Sequence, residues 1–137
     1  MIKPNVAAVY VNRALAYRHK GDFAKAIHDY EQATLLDSKH SVAHNNLAWL
    51  LATCANPAFR NGKRAVQLSR QACELLQWSK WNYIGTLAAA YADIGNFQEA
   101  IKWQRKSLEM NLPEAAVAPA QQRLSLYEQN KPYHEQE

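Results

Sequence analysis

Five histidines and two cysteines are the side chains in this 137-residue chain best suited to catalysis or metal binding. The histidines are His19, His28, His40, His44 and His134. His40 and His44 stand four apart, the spacing that sets two imidazoles on one helical face for a metal ion. His40, however, falls in a turn between two apolar-periodic segments, so the pair does not share a face. Cys54 and Cys73 make no CxxC, and two cysteines make no disulfide framework. On antiparallel helices their positions lie beyond disulfide reach. They read as structural thiols, without an assigned histidine partner. No HExxH, GxxxxGKS/T or GxSxG occurs. An enzyme needs an assembled constellation, and none is legible, so no catalytic residue, metal or cofactor is expected.

Composition narrows the classes of partner. The chain is 48% hydrophobic and 20% charged, in the range of globular proteins. Its net charge is +4. The basic residues are scattered (Arg18 and Lys20, Lys63 and Arg64, Lys102, Arg105 and Lys106) and form no continuous stripe, so nucleic acid is not expected as a partner. No apolar run reaches the length of a membrane span. The N-terminus lacks a signal peptide's apolar core. A cytoplasmic, non-membrane chain is the expectation.

The elements that must position any recognition surface repeat themselves. GDFAKAIHDYEQATLLD at 21–37 returns as GNFQEAIKWQRKSLEMN at 95–111. Tyr17, Leu51 and Tyr91 align late in apolar-periodic segments, and Ala26, Ala65 and Ala100 align after them. A 34-residue period fits, with five residues inserted between Leu51 and Ala65 and one more before Tyr91. Each unit reads as two helices. In the first, Tyr10, Ala14 and Tyr17 share one face, Gly21 and Asp22 form the break, and Ala26, Ile27, Tyr30, Ala33 and Leu36 line the second helix. The small residues Ala14, Ala48 and Ala88 let paired helices approach closely. Ala26, Ala65 and Ala100 do so from the other side.

These residues resemble the tetratricopeptide repeat over about 7–114. The first unit carries Tyr10, Ala14, Tyr17, Gly21, Ala26, Tyr30 and Ala33. It departs at Arg13, where Leu is usual, and at Ser38, where Pro is usual. The second carries Leu47, Ala48, Leu51, Ala65 and Ala72; the third Leu87, Ala88, Tyr91, Gly95 and Ala100, with Pro113 one place late. The resemblance implies an all-α fold, a right-handed α-solenoid of antiparallel helix pairs with about seven helices. The expected divisions are a remnant or leader at 1–6, units at 7–40, 41–80 and 81–114, a capping helix at 115–130 and a tail at 131–137. Within the cap, Pro119 is expected in the first turn, Ala120, Leu124 and Tyr127 on one face, and Arg123 elsewhere. Pro4 falls where an upstream repeat would end, which suggests more protein before it; a ragged N-terminus is the plainer reading. The loop 55–63 is read as a tolerated insert, with a contact surface as the alternative. Phe59 packing back on the array would mark it as an insert.

The family resemblance also implies a non-catalytic module that binds a protein or peptide segment in a groove lined by the first helix of each unit. An alternative is a structural or self-association element, favoured if Tyr10 and Val11 form an exposed edge. Groove positions carried over from the repeat give Ala8, Val11, Asn12, Leu15, Arg18 and His19 in the first unit. They give Val42, Asn45, Asn46, Trp49, Ala52 and Thr53 in the second, and Asn82, Gly85, Thr86, Ala89, Ala92 and Asp93 in the third. The chosen partner-binding set is Val11, Asn12, Leu15, Arg18, Asn45, Asn46, Trp49, Asn82, Thr86 and Ala89. Trp49 is the anchor candidate, since Trp is favoured at binding hot spots; packing against a neighbouring helix is its alternative role. The asparagines suit a peptide backbone. The chaperone-tail clamp of one tetratricopeptide subclass has its places filled here by Val11, Leu15, Asn46, Asn82 and Thr86. Only Asn46 matches, so that specificity is not expected. Trp78 and Trp81 are read as stapling the turn they flank, and Trp103 as facing outward or toward a partner.

Overall fold

The computed structural model describes residues 6–136; the expected remnant containing Pro4 lies outside them, save Val6, which opens the first helix. Seven α-helices run in order among the described residues: α1 (Val6–His19), α2 (Phe23–Leu36), α3 (Ser41–Thr53), α4 (Gly62–Leu75), α5 (Trp81–Asp93), α6 (Phe97–Leu108) and α7 (Glu114–Glu128). They pack as the hairpins α1–α2, α3–α4 and α5–α6, with α3 also against α5 and α7 against α6. This is an all-α solenoid. The aligned alanines explain the close pairing: Ala14, Ala26, Ala48, Ala65, Ala88 and Ala100 are fully buried, and a larger side chain there would force the helices apart.

The turns account for the shared phrase. Gly21 and Gly95 both adopt φ +81°, the left-handed conformation that closes a helix cheaply only as glycine. Asp22 N–H then bonds Tyr17 O, and Asn96 N–H bonds Tyr91 O, each at 2.9 Å across five residues. The side chains of Asp22 and Asn96 cap α2 and α6 by accepting from Lys25 N and Glu99 N, both at 3.3 Å. In the second unit the equivalent bond is Asn61 N–H to Leu51 O at 2.8 Å, spanning ten residues. The five-residue insertion sits inside that bond. A short 3-10 turn, Pro57–Phe59, folds it down, and Phe59 packs on Phe23 with ring centroids 5.8 Å apart. Phe59 thus ties the insert to the first hairpin.

The departure at Arg13 has a partner. Arg13 grips Asp29 with two hydrogen bonds, at 2.6 and 2.8 Å, and Asp29 is almost wholly buried. The equivalent positions hold Leu47 and Leu68 in the second unit and Leu87 and Trp103 in the third. An ion pair therefore replaces an apolar pair in the first hairpin. The Arg13 hydrogen bond holds the Asp29 carboxyl below its ordinary range.

Two local expectations are corrected. Helix α7 begins at Glu114, so Pro119 stands inside the helix and not in its first turn. The hydrogen bond it cannot make would have used the carbonyl of Ala115, an exposed residue that water can serve. Val11 is buried and Tyr10 half-buried, so they do not form the exposed apolar edge that would have favoured self-association.

Candidate functional site

The groove is built by the inner faces of α1, α3 and α5 and is closed by α7. A cleft of about 280 Å³ is lined by Arg18, Asn45, Asn46, Trp49, Asn82 and Thr86, together with Trp81, Gly85, Ser107 and Arg123. Six of the ten chosen positions therefore meet at one cleft. Val11 and Ala89, expected on the groove floor, are buried in the core beneath it, at 4% and 0% exposure. Leu15 is half-buried against that core, and Asn12 is exposed. The floor is thus the packed interface between helices; Asn45 and Thr86 are buried with it, and Arg18, Asn46, Trp49 and Asn82 are the more accessible lining groups.

Several of those groups are held by local structure. Thr86 Oγ1 donates to Asn82 O at 3.0 Å. Ser107 Oγ donates to Trp81 O at 2.8 Å, tying α6 to the start of α5. Trp81 is therefore a wall of the cleft as well as a flank of the turn. Two polar atoms at the cleft are buried without a hydrogen-bond partner: Asn45 Oδ1 and Arg123 Nε. An unpaired buried polar group costs about 1–3 kcal/mol, a cost that a ligand's hydrogen bond would remove.

Trp49 is half-buried. It packs at its base on the core and carries two groups on its face. One is the Arg123 guanidinium, 5.7 Å from the ring centroid. The other is Tyr133, whose ring lies 5.9 Å away. Arg123 also lies 5.6 Å from the Tyr133 ring. Cationic and aromatic contacts of this kind are worth about 0.5–2 kcal/mol each.

Tyr133 arrives because the chain reverses after α7. Asn130 takes φ +59°, Asn130 N–H bonds Tyr127 O and Lys131 N–H bonds Leu126 O, both at 2.9 Å. Residues 131–136 then run without helix into the groove. Glu135 N–H donates to Thr53 O at 2.7 Å, as in a strand-like contact with the end of α3. The Glu135 carboxylate accepts from Arg18 at 2.7 Å and lies 3.3 Å from Thr53 Oγ1, which donates at 2.7 Å to Trp49 O. His134 Nε2 lies 2.9 Å from Asp93 Oδ1, and Arg60 from the insert lies 3.7 Å from the same oxygen. Arg60 is fixed by donating to Cys54 O at 2.7 Å. Gly62 passes close to Asp93, so that an added Cβ would come within 2.6 Å of Asp93 Oδ2.

A second cleft, of about 600 Å³, lies between the α1–α2 turn and the insert. Phe23, Leu50, Cys54 and Phe59 form its apolar part, and Glu135 and Gln136 form part of its wall.

The other candidates serve structure. His40 Nδ1 caps α3 by accepting from Ala43 N at 3.2 Å, and His44 Nε2 bonds Ser38 O at 2.8 Å. Cys54 and Cys73 are free and buried; burial raises both thiols, that of Cys73 to about 12. Trp103 stacks on Trp78 at 5.0 Å and donates to Glu99 at 2.9 Å. Sequence reasoning placed Arg123 off the cap's apolar face without giving it a role, and it treated 131–137 only as a tail. The signal was there in weak form: an aromatic, a histidine and a carboxylate in a row after Pro132, facing Asp93 and Arg18 among the carried-over groove positions.

Paired antiparallel helices with a groove along one face define a helical-repeat protein. Models of the tetratricopeptide repeat match residues 7–40 and 82–111, the first and third hairpins. Among solved structures it is similar to the first tetratricopeptide-repeat domain of Spaghetti (RPAP3) bound to the HSP90 peptide SRMEEVD. That likeness has a TM-score of 0.77 at 20% identity, over 93% of this chain and 94% of that one. It is also similar to the N-terminal domain of stress-induced protein-1 (STI-1) from C. elegans, with a TM-score of 0.65 at 18% identity, over 88% and 98%. At these identities the likeness is one of fold. No curated protein sequence matches the chain. No described helix is long and apolar enough to cross a membrane.

Proposed function

We propose that this chain is a non-catalytic interaction module that binds an extended protein segment in the groove of α1, α3 and α5. One observation carries the reading: side-chain amides and a guanidinium converge on one cleft beside Trp49, with Asn45 Oδ1 and Arg123 Nε left unpaired. Such an array suits the N–H and C=O groups of a peptide backbone and one aromatic anchor. The RPAP3 domain, which holds an HSP90 peptide on the same fold, supports a peptide as the ligand class. The acidic chaperone tail itself is not the ligand we propose, because Val11, Asn82 and Thr86 stand where such a clamp carries cations. The reading extends to a reducing, cytoplasmic setting, supported by two buried free thiols.

The test is peptide selection from a random display library on the chain carrying Tyr133→Ala and Glu135→Ala, which frees the groove. Enriched peptides should lose binding to the same protein bearing Asn45→Ala and Asn82→Ala. No enrichment, or indifference to those changes, would sink the reading.

A second reading, self-association through the first hairpin, draws on Val6, Val9, Leu35 and Leu36, all exposed on α1 and α2. Light scattering over a wide concentration range decides it: a constant monomer mass removes it.

A further inference from the structure

Residues 131–136 meet the groove as a bound peptide would. Their backbone pairs with a helix-end carbonyl, Thr53 O, and three successive side chains each find a complementary receptor. Tyr133 lies on Trp49 and Arg123, His134 on Asp93, and Glu135 on Arg18 and Thr53. The receptors come from four different helices, α1, α3, α5 and α7, so the fit belongs to the folded groove and to no local motif. The contacts are complementary in kind: a ring against a ring and a guanidinium, an imidazole against a carboxylate, a carboxylate against a guanidinium. The insert contributes too: Arg60 stands 3.7 Å from Asp93, and Gly62 passes close beside the same side chain. Asn45 Oδ1 stands unpaired farther along the same groove, beyond the groups that the segment uses.

We propose that segment 131–136 is an intramolecular occupant of the groove. On this proposal its contacts define the partner: a protein segment carrying an aromatic residue, then an imidazole or a cation, then a carboxylate two positions after the ring. The partner enters by displacing the occupant and gains the amides of Asn45, Asn46 and Asn82 that the occupant leaves unused. This rests on the groove being the binding surface. It adds who binds and what must leave first.

The size of the effect follows from tethering. A segment on a short linker acts at an effective concentration of about 1 mM. If the free peptide binds with a Kd of about 0.1 mM, the tethered copy weakens any competitor about tenfold.

The experiment is calorimetric titration of a synthetic peptide, NKPYHEQ, into the full chain and into the full chain with Tyr133→Ala and Glu135→Ala. Circular dichroism confirms that the variant keeps its helices. The variant should bind one peptide at least tenfold more tightly than the unaltered chain does. A peptide with Ala in place of its Tyr should lose at least tenfold on the variant. In the unaltered chain, the Glu135 amide should exchange slowly with solvent, and Tyr133→Ala alone should release it. Equal binding to both proteins overturns the proposal, as does no binding to a folded variant or a Glu135 amide that exchanges freely from the start. Failure of the groove reading would look different. Library peptides would then bind regardless of Asn45 and Asn82, or none would bind, whatever the Glu135 amide does. Enriched peptides that depend on Asn45 and Asn82 but lack the ring and carboxylate two apart would keep the groove and overturn the partner assigned here.

Discussion

The two ends of the groove are made by the same helices, yet one is covered and the other open. At the covered end lie the last turns of α1, α3 and α5, with Arg18, Thr53 and Asp93 against residues 133–135. At the open end lie the earlier turns of α3 and α5, with Asn45, Asn46, Asn82 and Thr86. The difference follows from helix chemistry. Final carbonyls have no intrahelical partner, so Thr53 O is free to take Glu135 N–H, and paired charges secure the rest. The earlier turns have their carbonyls engaged and offer side-chain amides instead. Trp49 lies between the two ends and belongs to both. One end presents charges and a backbone carbonyl, the other neutral amides.

That contrast can be broken at its centre. In the Tyr133→Ala, Glu135→Ala background, Trp49→Ala should weaken binding of NKPYHEQ by about thirtyfold or more, the loss of a hot spot of about 2 kcal/mol. Binding within threefold of the parent would show that Trp49 is a packing residue only.

The open end should respond less. Asn45→Ala with Asn82→Ala should weaken library-selected peptides about tenfold while the melting temperature holds or rises. The asymmetry arises because Asn45 Oδ1 has no partner to lose in the free protein. A large drop in melting temperature would mean that the asparagines serve the fold.

A smaller effect is expected at the edge of the covered end. Gly62→Ala puts a Cβ within 2.6 Å of both Asp93 Oδ2 and Ile94 Cγ2. Displacing Asp93 should speed exchange of the Glu135 amide several-fold and destabilise the fold by about 1–3 kcal/mol, as overpacking does. Unchanged exchange would detach Asp93 from the docking of His134.

The smallest effect on binding is expected from the first hairpin. Arg13→Ala should leave peptide affinity unchanged and lower the melting temperature, since Asp29 loses its partner in a buried place. The Asp29 carboxyl titrates lower in the folded protein than in the unfolded chain. Its contribution is therefore present above the ordinary aspartate range and is lost as pH falls through its lowered folded value. Melting temperature against pH should fall on the acid side in the parent and fall less in Arg13→Ala. Replacing both residues by Leu, as at Leu47 and Leu68, should retain the parent's stability at neutral pH and remove that acid dependence.

The fold was legible because packing is written in spacing. Alanines at matched positions, tyrosines between them and glycine at two turns can form little else than stacked helix pairs. The five-residue insert was legible in length, and its place inside the Leu51 to Asn61 bond follows from the alignment. Position in the repeat brought Arg18, Asn45, Asn46, Trp49, Asn82 and Thr86 to one cleft. It misjudged Val11 and Ala89, because a short side chain facing inward is reached by the neighbouring helix before any ligand. Residues 131–136 were not legible as an occupant. They have no periodicity, and their receptors are assembled from four helices only when the chain has folded. Arg123 was hidden for the same reason: its polar position on α7 reads as solvent-facing until Trp49 is brought beneath it.

The most direct test of the account is a two-dimensional NMR titration of the Tyr133→Ala, Glu135→Ala chain with a library-selected peptide, following the side-chain amides of Asn45, Asn46 and Asn82 and the indole N–H of Trp49. These four signals should shift together and saturate with one peptide per chain. Shifts confined to α2, α4 and α6, with these four unmoved, would contradict it.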